Sequence, residues 1–184
     1  MRSVHHGLKG LRKQVFNRLG RQSFFYDPEP QNGIKGYDGE GPVIVMGYRP
    51  STDPWMPNGS SRRLLYDTMK HNGVGDAYLT DCIKERSPVK DDTKNYDLQW
   101  NLAVLTKELE IVNPEIIIAL GTKAELFLYK HNFAHRYGIV ASFHFGIVHH
   151  WTRWNSREDA AQAFRDDFRE AVACYGRWKA KGWV

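Results

Sequence analysis

The chain has 184 residues, of which 26 are Lys or Arg and 21 are Asp or Glu, giving a formal net charge of +5. This length suits one domain with a substantial core, and the charge permits a polyanionic partner without requiring one. No apolar run reaches the roughly 18 residues that cross a membrane, so we expect a cytoplasmic protein with no membrane partner. Two cysteines, Cys82 and Cys174, make neither a disulfide framework nor a Cys-rich metal site.

The first 26 residues combine helical spacing with positive charge. Their apolar residues recur at three- and four-residue intervals, namely Leu8, Leu11, Val15 and Leu19, which predicts an amphipathic helix. The same stretch has no acidic residue and carries these cations: Arg2, Lys9, Arg12, Lys13, Arg18 and Arg21. The basic side is either a phosphate-contacting surface or a solvated helix face. A loop rich in Pro, Gly and Asp follows, so we treat residues 1–41 as a basic helix and loop.

A buried strand and a polar loop come next. The apolar run from Val43 to Met46 turns polar at Gly47-Tyr48-Arg49-Pro50-Ser51-Thr52-Asp53. Such a run is typical of a parallel strand covered on both faces. Because ligands bind outside the carboxyl ends of strands in open α/β sheets, we expect Gly47 to Asp53 to form one wall of a binding site. An ordinary strand and turn would give the same pattern.

A helix and a second strand follow this loop. Ser60 and Ser61 can cap a helix that ends near Asn72-Gly73. Ala77 to Thr80 is then a short strand that delivers Asp81 at its carboxyl end. The order strand, helix, strand predicts a right-handed parallel crossover.

The second half of the chain repeats this alternation. Leucines spaced by three and four predict a helix over 98–112, and Ile116 to Leu120 predicts a third strand followed by a helix over 123–129. A fourth strand is expected within Phe143 to Val148, ending at His149-His150. Ser156 caps a long final helix over 156–182. The predicted fold is a three-layer α/β/α sandwich with a central four-stranded parallel sheet.

Four segments of the chain together resemble the uracil-DNA glycosylase superfamily, over roughly Pro42 to Trp154. They are Gly47-x-x-Pro50, the run from Tyr78 to Lys84, the run from Pro114 to Gly121, and the final histidine motif. The likeness is greatest to the thermostable bacterial and archaeal branch. That branch holds an iron–sulfur cluster through four Cys that this chain lacks, so we expect no cofactor. The resemblance implies one domain, 1–184, with a motif-bearing core at 42–154, acting on DNA as a monomer.

Members of this superfamily extrude a base from DNA and hydrolyse its N-glycosidic bond. In the family, the loop after the first strand places the attacking water, which makes Gly47, Tyr48, Arg49 and Pro50 candidates for binding the base. The family commonly has Asp, Asn or a small residue where this chain has Arg49, and a guanidinium cannot accept a proton. Asp53 is therefore the candidate to orient water, with a turn-capping role as the alternative.

Two further roles concern the base itself. Trp55 matches the family's stacking aromatic, unless it packs in the core. Asp81 stands where the family has an Asn that reads uracil, and an ionised carboxylate has no proton to offer O4. Asp81 suits an exocyclic amine instead, so we expect an amino-bearing or modified pyrimidine to be preferred over plain uracil. The alternative for Asp81 is a salt bridge to Lys84 or Arg86.

The histidine motif takes the last role, stabilising charge on a pyrimidine oxygen. Either His149 or His150 fits, and we favour His150 because Trp151-Thr152 follows it where the family has Pro-Ser. A His pair also suits a metal, but nearby Cys and aligned carboxylates are lacking, so none is expected. In the family the following segment enters the minor groove, a role that falls to Trp151, Thr152, Arg153 and Trp154. The alternative is a patch packed on the final helix.

These features favour a monofunctional DNA glycosylase of altered base specificity. A nucleic-acid-binding module that kept the fold and lost hydrolysis is the alternative, since neither the water-placing residue nor the Asn has its usual form. An N-glycosidase acting on a free nucleotide is a third hypothesis, against which the basic amino end and the Trp151 to Trp154 segment argue.

Overall fold

The computed structural model describes residues 2–50, 59–86 and 96–184, and its centre is a four-stranded sheet. The strands are β1 (Val43–Gly47), β2 (Tyr78–Asp81), β3 (Ile116–Leu120) and β4 (Gly138–Ser142). They lie in the order β2-β1-β3-β4 and every pairing is parallel. All four carboxyl ends therefore meet at one edge of the sheet, which we call the carboxyl edge.

Helices cover both faces of this sheet. Within the described ranges they are α1 (Arg2–Leu19), α2 (Ser60–His71), α3 (Leu98–Val112), α4 (Thr122–Lys130) and α5 (Arg157–Ala180). Alternate residues of β1 point to opposite faces: Val45 packs with α2 and α5, whereas Ile44 packs with α1, α3 and α4. The predicted three-layer α/β/α sandwich is confirmed. No helix in the described part of the chain is both long enough and apolar enough to span a bilayer.

The amino-terminal helix is amphipathic, as its spacing predicts. Leu8 reaches the core beneath the sheet, and Leu11 and Val15 pack against Val104 of α3. Burial of this stripe leaves Lys9, Lys13 and Arg18 exposed. The helix is thus part of the layered fold.

Of the two helix caps predicted from the sequence, one is confirmed and the other is wrong. Ser156 caps α5, its Oγ accepting a hydrogen bond from the Asp159 N–H at 3.0 Å. The predicted Ser60 or Ser61 cap of α2 is wrong, because the helix begins at Ser60 itself and its N-cap, Gly59, makes no side-chain cap bond. The Ser61 hydroxyl is used elsewhere, as described below.

The fourth strand lies earlier than the sequence predicts. β4 pairs with β3 from Gly138 to Ser142, while the apolar stretch from Phe145 to His149 is a 3₁₀-helix. Phe145 and Val148 are both buried there, and a spacing of three residues places them on the same side of a 3₁₀-helix. His149 and His150 therefore do not end the strand.

Candidate active site

Gly47 and Asp81 lie side by side where β1 and β2 end. They are paired in register, and Asp81 is only 5% exposed. A methyl group on residue 47 would lie 2.1 Å from Asp81 Oδ1, so glycine is what leaves room for the carboxylate. Oδ1 accepts a hydrogen bond from the Tyr26 hydroxyl at 3.1 Å, whereas Oδ2 has no partner among the described residues.

The Asp81 carboxyl is about half protonated at pH 7. Burial raises its pKa to about 7, against the opposing effects of nearby Lys84 and the Tyr26 hydrogen bond. The predicted alternative of a salt bridge to Lys84 is wrong: Lys84 pairs with Glu108, and its ammonium donates to the Asp81 carbonyl at 2.5 Å. Lys84 is thus paired with another carboxylate.

Lys84 and Glu108 belong to a buried network beneath Asp81. The Lys84 ammonium also donates to Thr80 Oγ1 at 2.6 Å, and the Tyr78 hydroxyl donates to Glu108 at 2.6 Å. The network joins β2 to α3 and so fixes the end of the strand that carries Asp81. Sequence reasoning missed it, although Glu108 stands directly beside Leu109 of the apolar stripe, which was a visible signal.

The loop after β1 continues the sheet beyond the strand. The Gly47 and Tyr48 carbonyls accept from the N–H groups of Cys82 and Ile83, at 2.9 and 3.0 Å. The Tyr48 hydroxyl lies 3.0 Å from that of Tyr96, just ahead of α3. These bonds hold the first part of the predicted binding wall against the segment that follows β2.

Arg49 joins the same two segments. Its Nε donates to the Glu85 carbonyl at 3.0 Å, and its guanidinium lies over the Tyr96 ring, 5.3 Å from the centroid. These contacts give Arg49 a positioning role in the loop. Pro50 is buried beside it. Asp53 and Trp55 lie outside the described residues, so their roles stay predictions.

The histidine that follows β4 directly is His144. Its Nδ1 accepts the Gly146 N–H at 3.0 Å, which puts the proton of the neutral ring on Nε2. His144 is exposed, but surrounding protein atoms still partly desolvate its imidazole and, with His149 and His150 nearby, lower its pKa. His144 is therefore neutral at pH 7 and carries one N–H donor.

His144 also lies next to the end of β3. A methyl group on Gly121, the residue after that strand, would lie 3.0 Å from His144 Cβ. Sequence reasoning missed His144 because it placed the fourth strand over that residue. The β-branched pair Ile139-Val140, just upstream, indicates a strand that ends before His144. With the strand placed there, His144 would have been recognised as a polar residue that follows it.

The predicted histidines and the segment after them lie further along the chain. His149 and His150 are exposed, and His149 Nε2 lies 2.5 Å from Ser61 Oγ at the start of α2. Thr152 and Arg153 are exposed in the short 3₁₀-helix Trp151–Arg153. Trp154 packs edge-on against Phe143, with centroids 6.4 Å apart. Phe143 directly precedes His144 in the chain.

Comparison with known proteins agrees with this geometry. The family model described as the uracil DNA glycosylase superfamily matches residues 35–170. The match spans all four strands and the helices between them. The chain belongs to the uracil DNA glycosylase superfamily. A glycosylase-like function on DNA follows from that membership, while no curated protein matches the chain.

Proposed function

We propose that this protein is a monofunctional DNA glycosylase that uses water to hydrolyse the N-glycosidic bond of an extruded base. One observation carries the proposal: the carboxyl edge of a superfamily member holds a buried carboxyl, Asp81, with an oxygen left unpaired among the described residues. A buried polar atom without a partner is costly, so a ligand group that hydrogen-bonds to it is the natural compensation. The flipped base is that ligand.

His144 takes the electrostatic role that the sequence assigns to His150. As the glycosidic bond breaks, negative charge develops on the departing pyrimidine, and the His144 Nε2–H is the donor that meets it. A neutral imidazole suits this task because it donates a hydrogen bond without protonating the base. The bond from Gly146 to Nδ1 favours the required tautomer.

Asp81 recognises the pairing edge of the base. Because Tyr26 donates to Oδ1, the proton of the neutral carboxyl resides on Oδ2, the unpartnered oxygen. Protonated Asp81 donates to a ring nitrogen and accepts from an exocyclic amine, as an amino-bearing or modified pyrimidine requires. Ionised Asp81 loses the donor, so base release should fall as pH rises through about 7.

The test is base release from oligonucleotides that each hold one uracil, hypoxanthine, cytosine, 5-modified cytosine or 5-modified uracil. The native protein should release an amino-bearing or modified pyrimidine. His144→Ala should slow release about 10²- to 10³-fold, the loss seen when one oxyanion donor is removed. His150→Ala is the matched control and should keep the native rate. Asp81→Asn should move the preference toward uracil and remove the fall in rate near pH 7.

Two outcomes would contradict the proposal. Salt-sensitive binding with no release from any substrate would identify a binding module that kept the fold without hydrolysis. Loss of activity in His150→Ala but not in His144→Ala would return the electrostatic role to His150.

A further inference from the structure

A groove of about 850 Å³ runs between α1 and the segment that follows it. We call it the α1 groove and define it by His5, Lys9, Lys13 and Phe16 of α1, with Phe24 and Arg86 across from them. It lies apart from the catalytic candidates, none of which lines it. The family comparison does not reach α1, since it begins at residue 35.

The cations of α1 form a row along this groove. Lys9 and Lys13 are exposed and have no ion-pair partner in the described part of the chain. His5, Lys9 and Lys13 follow one another every four residues, which separates them by about 6 Å along the helix axis. That interval is comparable to the spacing of phosphates along an extended nucleic-acid strand.

Acidic groups only partly offset this charge. Asp38 lies in the groove but pairs with Arg12 at 3.0 Å, and Arg12 also stacks over Tyr37. Asp27 is the remaining carboxylate of the lining, and it is exposed. The free lysines therefore dominate the α1 wall of the groove.

Phe16 places an aromatic ring at the end of the lysine row. It is 58% exposed, whereas Leu11 and Val15 on the other side of α1 are buried. The packing of α1 therefore does not account for an aromatic residue here. An exposed ring beside a row of cations is the pattern of a single-strand binding surface, on which bases stack while cations contact the backbone.

The groove also connects to the candidate active site. Arg86 lies over the Phe24 ring, and Phe24 packs edge-on against Tyr26 with centroids 4.8 Å apart. Tyr26 in turn donates to Asp81. Three contacts thus link the end of the groove to the carboxyl that faces the base.

The direction of α1 sets the course of the groove. Arg18, near the end of α1, pairs at 2.6 Å with Asp97, the N-cap of α3. Gly7, near the start of α1, lies against Ile111 close to the end of α3. The two helices are therefore antiparallel. The Arg86 N–H donates to the carbonyl of Gln22, just after α1, at 2.9 Å, so the groove runs from the Arg86 end along α1 toward its amino end.

We propose that the α1 groove binds a single-stranded stretch of DNA that flanks the extruded base. Lys9 and Lys13 contact successive phosphates, and Phe16 stacks on a base. The volume of the groove, about 850 Å³, lies in the range of small-molecule pockets. This surface extends the substrate contacts beyond the catalytic edge and gives the protein a preference for single-stranded or locally melted DNA.

The test measures fluorescence anisotropy of a labelled oligothymidylate titrated with the full chain at several salt concentrations. Lys9→Ala/Lys13→Ala should lower the slope of log affinity against log salt by about 1.4, since each lost phosphate contact on a single strand contributes about 0.7. Lys70→Ala/Lys130→Ala is the control. It removes two exposed lysines from α2 and α4 and should leave the slope unchanged.

Stacking is tested separately with Phe16→Ala. Loss of one base–aromatic stack should weaken oligothymidylate binding about 5- to 150-fold. Leu126→Ala is the control, because Leu126 of α4 is an apolar side chain of similar exposure, 61%, outside the groove. Both substitutions are at the surface, so the fold should tolerate them.

Three results would overturn the proposal: the α1 variants bind oligothymidylate like their controls, a duplex of the same length binds as tightly and depends equally on Phe16, or polyglutamate competes fully. The last would identify a surface for acidic peptides.

Oligothymidylate binding needs no catalysis. Failure of base release would therefore leave this proposal standing, and failure of groove binding would leave the glycosylase proposal standing.

Discussion

Replacing Asp81 by Asn should make the protein more stable at neutral and alkaline pH. The substitution keeps the shape of the side chain, and the Asn Oδ1 can still accept from the Tyr26 hydroxyl. It removes the group that must ionise inside the protein as pH rises. Burial is the main reason that the pKa of Asp81 is about 7 rather than 3.8.

The sign and size of the effect follow from linkage. A carboxyl whose pKa is higher in the folded protein binds its proton more tightly there, so its contribution is full below pH 3.8 and is lost as pH rises toward 7. One pH unit within that window is worth about 1.4 kcal/mol, so the whole window corresponds to about 4 kcal/mol. Between pH 5 and pH 8 the native protein should lose about 3 kcal/mol relative to Asp81→Asn.

Thermal unfolding followed by circular dichroism from about pH 5 to pH 8 measures this difference. For a chain of this size, about 3 kcal/mol corresponds to a relative shift in Tm of roughly 6–12 °C. The Asn amide nitrogen takes the place of the unpartnered Oδ2, which adds an offset that is independent of pH and leaves the slope intact. Asp76→Asn, at an exposed carboxylate, is the control and should follow the native curve. If native and Asp81→Asn curves stay parallel, Asp81 is already ionised at pH 5 and its proposed role as a donor is refuted.

Three further substitutions test the surroundings of this carboxyl and one helix end. Gly47→Ala puts a methyl group 2.1 Å from Asp81 Oδ1, so denaturant unfolding should show a loss of about 1–3 kcal/mol and base release should fall with it. Glu108→Gln removes a repelling charge and releases Lys84, so the pH at which the Asp81-dependent stability is lost should move down, as unfolding at several pH values will show. Ser156→Ala should cost about 1 kcal/mol in urea unfolding through the lost α5 cap, with base release unchanged.

The layered architecture could be predicted because it depends on local patterns. Ile116 to Leu120 is an uninterrupted run of apolar residues, and both its strand and the helix after it are where the pattern places them. The apolar stripe of α1 and the Ser156 cap could be predicted for the same reason. Each depends on residues within a few positions of one another, and the three-layer arrangement follows from their order along the chain.

The arrangement of the candidate site depends on contacts between residues that are far apart in the sequence, and local patterns do not predict such contacts. The fourth strand was placed too late because the Phe143 to Val148 stretch is as apolar as a strand. The stretch that pairs with β3 is Gly138 to Ser142, which identifies it as the strand. Because the strand ends at Ser142, His144 lies at the carboxyl edge. Tyr26 and Asp81 are 55 positions apart, so the sequence gives no sign of their hydrogen bond.

The raised pKa of the Asp81 carboxyl results mainly from burial, and the pairing of its neighbours limits the opposing effect of nearby charge. The positive charge of Lys84 lowers the pKa of Asp81, and the negative charge of Glu108, which binds the Lys84 ammonium, opposes that effect. The Tyr26 hydroxyl donates a hydrogen bond to Asp81. Burial of Tyr26 raises its own pKa, so its hydroxyl keeps its proton and cannot neutralise a charge. Asp at this position therefore does not simply lack the donor of an Asn, because burial keeps the carboxyl protonated, and able to donate, until the pH approaches 7. In the proposed glycosylase, the base is recognised through a proton that the solution supplies, which ties the proposed specificity to pH.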